Sequence, residues 1–151
     1  MIVYRICRSV YANDLAGSGA RLVGGRWNSK GIPVVYTSGT RSLAVLEVLV
    51  HIPAAMVPKD FVIISVQIPD SLSVEEVSWK QLKTEIEKSG IHANFSKLGN
   101  DWVKKMNTPV LKVPSIVVKD EFNYIINPAH PTCKEIKILE QRSFSFDPRL
   151  F

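Results

Sequence analysis

The chain has 151 residues and a net charge of +5, with 46% hydrophobic and 22% charged residues. These values are typical of one soluble globular domain, predicted over 1–151, and they argue against a disordered chain. No apolar run approaches the ~20 residues of a membrane span, and the N-terminus lacks the pattern of a signal peptide. The two cysteines, Cys7 and Cys133, have neither metal-ligand spacing nor the number for a disulfide framework, so we expect a reducing, cytoplasmic setting.

The first third of the chain alternates strand-like and polar segments. Residues 2–7 are predicted to form a strand, and 13–31 a polar, glycine-rich loop whose length suggests a function. A second strand is predicted over 33–38. Thr40 is a suitable N-cap for an apolar helix over about 41–52.

The rest of the chain is rich in strand-like segments. Residues 75–106 are predicted to form two short helices around Ser89-Gly90 that cap one side of a pocket. Further strands are predicted over 61–68, 110–113, 116–118, 122–126, 134–140 and 142–146. Because strands and helices do not alternate regularly, we predict an α+β fold with a compact mixed or antiparallel β-core and flanking helices.

Glu47 is the only charged residue in the segment 42–50. A helix that is apolar on all sides is normally buried, and a buried carboxylate without a partner costs several kcal/mol. Glu47 therefore needs a partner or a function. We expect the partner to be Arg26, which follows two glycines, with His51 at i+4 as the structural alternative.

Several familiar functional motifs are absent from the sequence. Gly17-Ser18-Gly19 lacks the third glycine of a dinucleotide-binding motif, and Ser29-Lys30-Gly31 has the wrong order for a phosphate loop. The three histidines have no zinc-ligand spacing, and no Gly-x-Ser-x-Gly motif marks a nucleophilic serine. The basic residues are scattered, so nucleic-acid binding is not indicated. An enzyme with this sequence would work without a metal and without a familiar covalent nucleophile.

Four residues in distinct contexts follow one another as Arg26, Tyr36, Glu47 and Ser115. Taken singly, they could be an exposed loop cation, a core aromatic residue, a buried ion-pair partner and a turn residue. With their neighbours they resemble the RES domain family, named for its arginine, glutamate and serine. Residues 70–108 match that family only in length and general character. The matching segments are Gly-Ala-Arg-Leu-Val-Gly-Gly-Arg-Trp-Asn-Ser-Lys-Gly (19–31), Val-Val-Tyr-Thr-Ser (34–38), Ser-Leu-Ala-Val-Leu-Glu-Val-Leu-Val-His (42–51), Val-Pro-Ser (113–115) and Asn-Tyr-Ile-Ile-Asn-Pro-Ala-His (123–130).

This resemblance implies an ADP-ribosyltransferase-like fold that acts on NAD+. Glu47 would stabilise positive charge that develops on the ribose, and Arg26 would bind the pyrophosphate in a fork. Tyr36 would stack on the nicotinamide or adenine ring, and Ser115 would hydrogen-bond the carboxamide or the ribose. Further substrate-binding candidates, with ordinary loop or surface roles as the alternative, are Arg5, Asn28 and Arg41.

The resemblance also implies a biological role. The protein would be the toxin of a bacterial type II toxin–antitoxin module and would degrade NAD+ by cleaving its nicotinamide–ribose bond, as a glycohydrolase or phosphorylase. NAD+ would be a substrate, and no cofactor is expected. The expected partner is a helix-turn-helix antitoxin of the Xre type, with a homodimer possible and no binding to a membrane or directly to nucleic acid. The alternatives are a protein ADP-ribosyltransferase using the same pocket, and a non-catalytic module that binds a partner or nucleic acid.

Overall fold

The structure is a computed structural model that describes residues 1–53 and 57–151. The strands found in these residues are β1 (Ile2–Arg8), β2 (Val35–Ser38), β3 (Phe61–Gln67), β4 (Val74–Glu76), β5 (Val110–Pro114), β6 (Phe122–Ile126) and β7 (Lys137–Phe144). The α-helices are α1 (Ser18–Val23), α2 (Arg41–Leu49), α3 (Trp79–Ser89) and α4 (Ser96–Lys105). Short 3-10 turns lie at Ser9–Tyr11, Gly90–His92, Pro131–Glu135 and Pro148–Leu150.

The strands form one mixed sheet in the order β4-β5-β6-β2-β1-β3-β7. β4 and β5 are parallel, and the other neighbouring strands are antiparallel. The register between β3 and β7 shifts between Ser65 and Val66, an irregularity of the kind that increases local twist. The predicted α+β class, with a mixed β-core and flanking helices, is confirmed.

Three buried clusters hold the other elements against the sheet. The first joins α3, α4 and the loop after α1 to β5 and β6 through Trp27, Leu82, Trp102, Leu111 and Ile125. The second lies on β1, β2, β3, β5 and β6, and the third packs α2 and the C-terminal segment against β1 and β3. Burying each large apolar side chain contributes roughly 1.5–3 kcal/mol, so the first cluster fixes the two helices firmly to the sheet.

Helix α4 packs directly on the backbone of the loop after α1. A Cβ at Gly99 would overlap the carbonyl oxygen of Trp27 and would lie 2.9 Å from its carbonyl carbon. At the next residue, Asn100 Oδ1 accepts from Ser29 N at 3.0 Å, and Asn100 Nδ2 donates to Ser29 Oγ at 2.7 Å. The close approach therefore needs a glycine, and it sets the position of the loop.

Helix α2 begins as predicted, but its burial differs from the prediction. Thr40 Oγ1 accepts from Leu43 N at 3.1 Å, which confirms the N-cap. The helix ends at Leu49, three residues earlier than predicted. Only Leu43 and Ala44 in it are buried, whereas Leu46 is 38% exposed. The expectation of a helix buried on all sides is wrong because α2 packs on β1 and β2 along one face only.

Other segments also depart from the sequence-based prediction. The predicted loop 13–31 contains α1, which begins where Asp14 accepts hydrogen bonds from the backbone of Ala16 and Ser18. Residues 116–118 form a bend rather than a strand, since Ser115 Oγ accepts from the backbone N–H groups of Val117 and Val118.

The remaining differences concern strands. The predicted strand over 134–140 begins only at Lys137, because a 3-10 turn occupies Pro131–Glu135. The short strand β4 was not predicted, since three residues carry too little pattern. Two helices within 75–106 are confirmed.

Candidate active site

A cavity of about 710 Å³ opens between α2, the loop after α1 and the segment that joins α3 to α4. This volume is within the range of small-molecule sites. Strands β1 and β2 supply part of the wall, and Pro114, Ile116 and Asn123 complete it. We refer to residues 91–94, which line the cavity from the α3–α4 side, as the cap segment. Of the cap predicted over 75–106, the connection between the two helices reaches the cavity, whereas α3 and α4 supply no lining residue.

Glu47 projects from α2 into this cavity, where it is half-buried. Its Oε1 accepts from Ser115 Oγ at 2.8 Å and from Asn123 Nδ2 at 2.5 Å. Glu47 Oε2 accepts no hydrogen bond from the residues that the structure describes. One carboxylate oxygen is thus fixed by the protein, and the other is left for a ligand.

The strand register brings these donors to Glu47. Ser38, at the end of β2, lies directly opposite Asn123 on β6, and Ser38 Oγ donates to Asn123 Oδ1 at 2.7 Å. On the other side of β6, Asn123 lies opposite Val113 of β5, and Ser115 follows two residues later. Three neighbouring strands therefore present polar side chains beneath one turn of α2.

Arg26 also lines the cavity, but it does not form the expected ion pair with Glu47. Its guanidinium donates to Ala93 O at 2.6 Å and to Ile91 O at 3.0 Å. Among the described residues, Glu47 is in no ion pair, with Arg26 or with His51. The prediction was wrong because the cap segment, whose position is not evident from the sequence, provides two carbonyl acceptors for Arg26.

Tyr36 supports the loop that carries Arg26. Its hydroxyl accepts from Trp27 N at 3.0 Å and donates to Asn28 Oδ1 at 2.7 Å. Burial raises the pKa of Tyr36 to about 12, so the phenol is protonated and able to donate. A Cβ at Gly25 would lie 2.7 Å from this hydroxyl, which is why the position before Arg26 needs a glycine. Tyr36 is also part of the cavity lining, as a ligand-stacking residue must be.

The other predicted site residues divide between the cavity wall and its supports. Ser115 is only 1% exposed and is not part of the lining, since its hydroxyl faces Glu47 and two backbone N–H groups. Direct contact between Ser115 and a substrate is therefore not what this geometry shows. Asn28 is also 1% exposed, and its amide donates to Ala20 O and Ile32 O, each at 2.9 Å.

The two arginine candidates differ in position. Arg5 is part of the cavity lining, and its guanidinium donates to Asp14 O at 2.7 Å. Arg41 lies outside the lining, with its guanidinium 4.3 Å from the centre of the Tyr4 ring. Of the substrate-binding candidates, Tyr36 and Arg5 reach the cavity, whereas Asn28 and Arg41 do not.

Sequence reasoning did not assign several polar residues of the cavity lining to the site. They include Ser38, His51, His92 and Asn123. Asn123 lies in a segment that carried the family resemblance, but nothing in the residue order shows that it faces Glu47, 76 positions away. The histidines showed no metal-ligand spacing, yet two of the three lie on the same cavity. Among the described residues, no group of three or more His, Cys, Asp or Glu side chains could hold a metal ion.

The sequence profile of the RES domain matches residues 2–147. The chain belongs to the RES domain family. It is 35% identical over 145 residues to the Prs ADP-ribosylating toxin of Sphingobium sp., covering 95% of this chain and 90% of the relative. It is 36% identical over 152 residues to Toxin Res of Photorhabdus laumondii subsp. laumondii, covering 99% and 97%.

The RES fold of this chain is shared with a solved structure. A chain of the toxin–antitoxin complex MbcT–MbcA of M. tuberculosis superposes with a TM-score of 0.75 at 16% identity. The match covers 99% of this chain and 85% of that chain. Of the three residue types that name the RES family, Arg26 and Glu47 line the cavity, and Ser115 supports Glu47 from behind it. No helix among the described residues of this RES domain is long and apolar enough to cross a membrane.

Proposed function

We propose that this RES domain cleaves the nicotinamide–ribose N-glycosidic bond of NAD+ and acts as the toxin of a toxin–antitoxin module. The acceptor would be water or phosphate. The proposal rests mainly on Glu47, a carboxylate that faces a nucleotide-sized cavity. One of its oxygens is held by two donors, and the other accepts no hydrogen bond from the described residues. The toxin names of relatives that are 35% and 36% identical support the biological role.

The chemistry of the bond explains why a fixed carboxylate suffices. When the bond breaks, its electron pair moves to the pyridinium nitrogen, nicotinamide leaves as a neutral base, and the ribose carbon becomes oxocarbenium-like. An oxygen of the acceptor then bonds to this carbon, and its proton passes to solvent. Two opposite charges about 4 Å apart attract by about 4 kcal/mol at an effective dielectric constant of 20. Glu47 Oε2 could therefore lower the barrier by up to about 4 kcal/mol, which is about a thousand-fold in rate, without an acid catalyst or a metal.

Arg26 and Tyr36 would bind the remainder of the nucleotide. The guanidinium of Arg26 uses two hydrogen bonds to hold the cap segment and has five N–H donors in all, so it can still bind a phosphate oxygen. Tyr36 lines the cavity, and its hydroxyl is engaged by Trp27 and Asn28. Tyr36 would thus contact a ligand through its ring face.

A protein ADP-ribosyltransferase is the second candidate function. It is favoured by the name of the Sphingobium relative, an ADP-ribosylating toxin. Both reactions break the same bond and need the same carboxylate, so they differ only in the acceptor. A protein acceptor would have to present its nucleophile at the mouth of the cavity.

The partner would be an antitoxin that binds this chain. The support is the structural neighbour, which comes from a toxin–antitoxin complex. A helix-turn-helix antitoxin of the Xre type and a homodimer remain expectations from the family resemblance. Co-expression of this chain with the product of the adjacent gene, followed by purification through a tag on one of them, would test the pairing.

The deciding experiment follows NAD+ concentration with purified protein, with and without phosphate, beside Glu47→Gln. The glutamine Oε1 can still accept from Ser115 and Asn123, so the variant should fold while its carboxylate charge is lost. We expect NAD+ loss to fall about a thousand-fold. Glu75→Gln is the matched control, because Glu75 is exposed on β4 and lies outside the cavity.

The products separate the candidate functions. Free ADP-ribose indicates hydrolysis, a phosphate-dependent rate with ADP-ribose phosphate indicates phosphorolysis, and label from NAD+ on a protein in cell extract indicates ADP-ribosyl transfer. Undiminished NAD+ in every buffer and extract would refute all three reactions and leave a binding module. A Glu47→Gln protein with wild-type activity would refute the role of the carboxylate.

A further inference from the structure

Asn123 lies on β6 and joins a buried hydroxyl to the carboxylate of Glu47. Its Oδ1 accepts from Ser38 Oγ at 2.7 Å, and its Nδ2 donates to Glu47 Oε1 at 2.5 Å. Ser38 is 5% exposed, and Asn123 itself lines the cavity. Both ends of this carboxamide are thus engaged by side chains that belong to the site.

The direction of the Asn123 amide follows from its surroundings. An ionised carboxylate only accepts hydrogen bonds, so the group facing Glu47 Oε1 must be the amide nitrogen. The opposite orientation would place Asn123 Oδ1 against a carboxylate oxygen, where two acceptors repel each other. Ser38 can then donate to the remaining oxygen, and the set is fully satisfied in one orientation only.

The two donors to Glu47 Oε1 come from different strands. Ser115 follows β5, whereas Asn123 is on β6. A single hydrogen bond would leave the carboxylate of Glu47 free to rotate about that bond. Two donors on the same oxygen restrict that rotation and hold the other oxygen, Oε2, in a defined position at the cavity.

We propose that Asn123 is a positioning residue for Glu47, holding Oε1 so that Oε2 is directed at the reacting ribose of NAD+. This inference rests on the function proposed above. A misplacement of a reacting group by about 1 Å can reduce a rate about 100-fold. Loss of the Asn123 donor should therefore lower kcat for NAD+ cleavage by about that factor. KM should change little, because Asn123 orients the carboxylate rather than binding most of the nucleotide.

The test compares Asn123→Ala with Asn123→Asp. The alanine variant removes the donor, and we expect kcat to fall about 100-fold. The aspartate variant keeps the shape and can still accept from Ser38, but it places a second carboxylate against Glu47, so we expect a larger fall. A residue that only maintains the fold would give the reverse order, because aspartate is the closer structural match. Asn107→Ala, at an exposed position outside the cavity, is the control.

A second measurement does not depend on the reaction. Unfolding by urea of Asn123→Ala, Glu47→Ala and the double variant forms a cycle that reports the contact between the two side chains. We expect the two single effects to be non-additive. Additive effects, or an unchanged kcat in folded Asn123→Ala, would overturn the proposal. If the wild-type protein consumes no NAD+ but the cycle shows coupling, the proposed function fails and the Asn123–Glu47 contact stands. If the wild-type protein is active but the two single effects on stability are additive, the contact is refuted and the proposed function stands.

Discussion

Gly99 and Gly19 are both helical glycines, and the structure predicts opposite effects when each is replaced by alanine. A Cβ at Gly99 would overlap Trp27 O and lie 2.9 Å from Trp27 C, where ordinary van der Waals contact begins at 3.4 Å. Restoring ordinary contact between this Cβ and Trp27 C would move α4 or the loop by about 0.5 Å, the difference between 2.9 and 3.4 Å. Removing the overlap with Trp27 O would need a larger shift. Overpacking of this kind costs about 1–3 kcal/mol or more, against about 1 kcal/mol gained in helix propensity.

Gly19, on α1, has only a side-chain atom of Tyr11 within reach, at 4.0 Å. Gly19→Ala should therefore gain about 0.5 kcal/mol. A net loss of about 2 kcal/mol in Gly99→Ala corresponds to a Tm lower by roughly 4–8 °C in a domain of this size. Thermal unfolding followed by circular dichroism measures the Tm of both variants. A Gly99→Ala protein whose Tm equals or exceeds that of wild type would refute the close packing of α4 on the loop.

Two further predictions concern the loop that carries Arg26. Tyr36→Phe leaves Trp27 N–H and Asn28 Oδ1 unpaired, which should lower the free energy of unfolding by about 1–3 kcal/mol for each group, as measured in urea. Burial raises the pKa of Tyr36 from 10.0 to about 12, so the unfolded chain loses the phenol proton at a lower pH than the folded protein does. The free energy of unfolding that this difference contributes is fully present below about pH 10 and should be lost as the pH rises to about 12. Tyr36→Phe should lack that part of the fall, and an identical alkaline profile would contradict the assignment. Arg26→Lys should raise KM for NAD+, because an ammonium group cannot replace the planar guanidinium that holds two carbonyls of the cap segment and a phosphate together. An unchanged KM would argue against bidentate binding of the phosphate by Arg26.

Local patterns predicted much of the fold from the sequence. Thr40 was identified as an N-cap because the capping contact spans three residues, and β1 and β6 were identified from short β-branched or aromatic runs. The burial of α2 was not predictable, because it depends on which neighbours cover the helix. A run of apolar residues does not show that one face is left exposed.

The site was predicted only in part, because local patterns do not show which distant residues come into contact. Glu47 stood out because a lone charge in an apolar segment is conspicuous within a short window. Its actual partners depend on the register of β2, β5 and β6, which places Ser38 beside Asn123 across 85 positions of sequence. Arg26 was assigned the wrong partner because its acceptors are backbone carbonyls, which every residue has and no side-chain pattern reveals.

The use of carbonyl acceptors has a consequence for how this chain can diverge over evolution. Every residue type presents the same carbonyl, so the side chains of Ile91 and Ala93 can change without removing an acceptor from Arg26. By contrast, the contacts of Tyr36 and Glu47 use specific side chains and admit few replacements. Substitutions should therefore accumulate in the cap segment, while α2 and the loop that carries Arg26 stay constant.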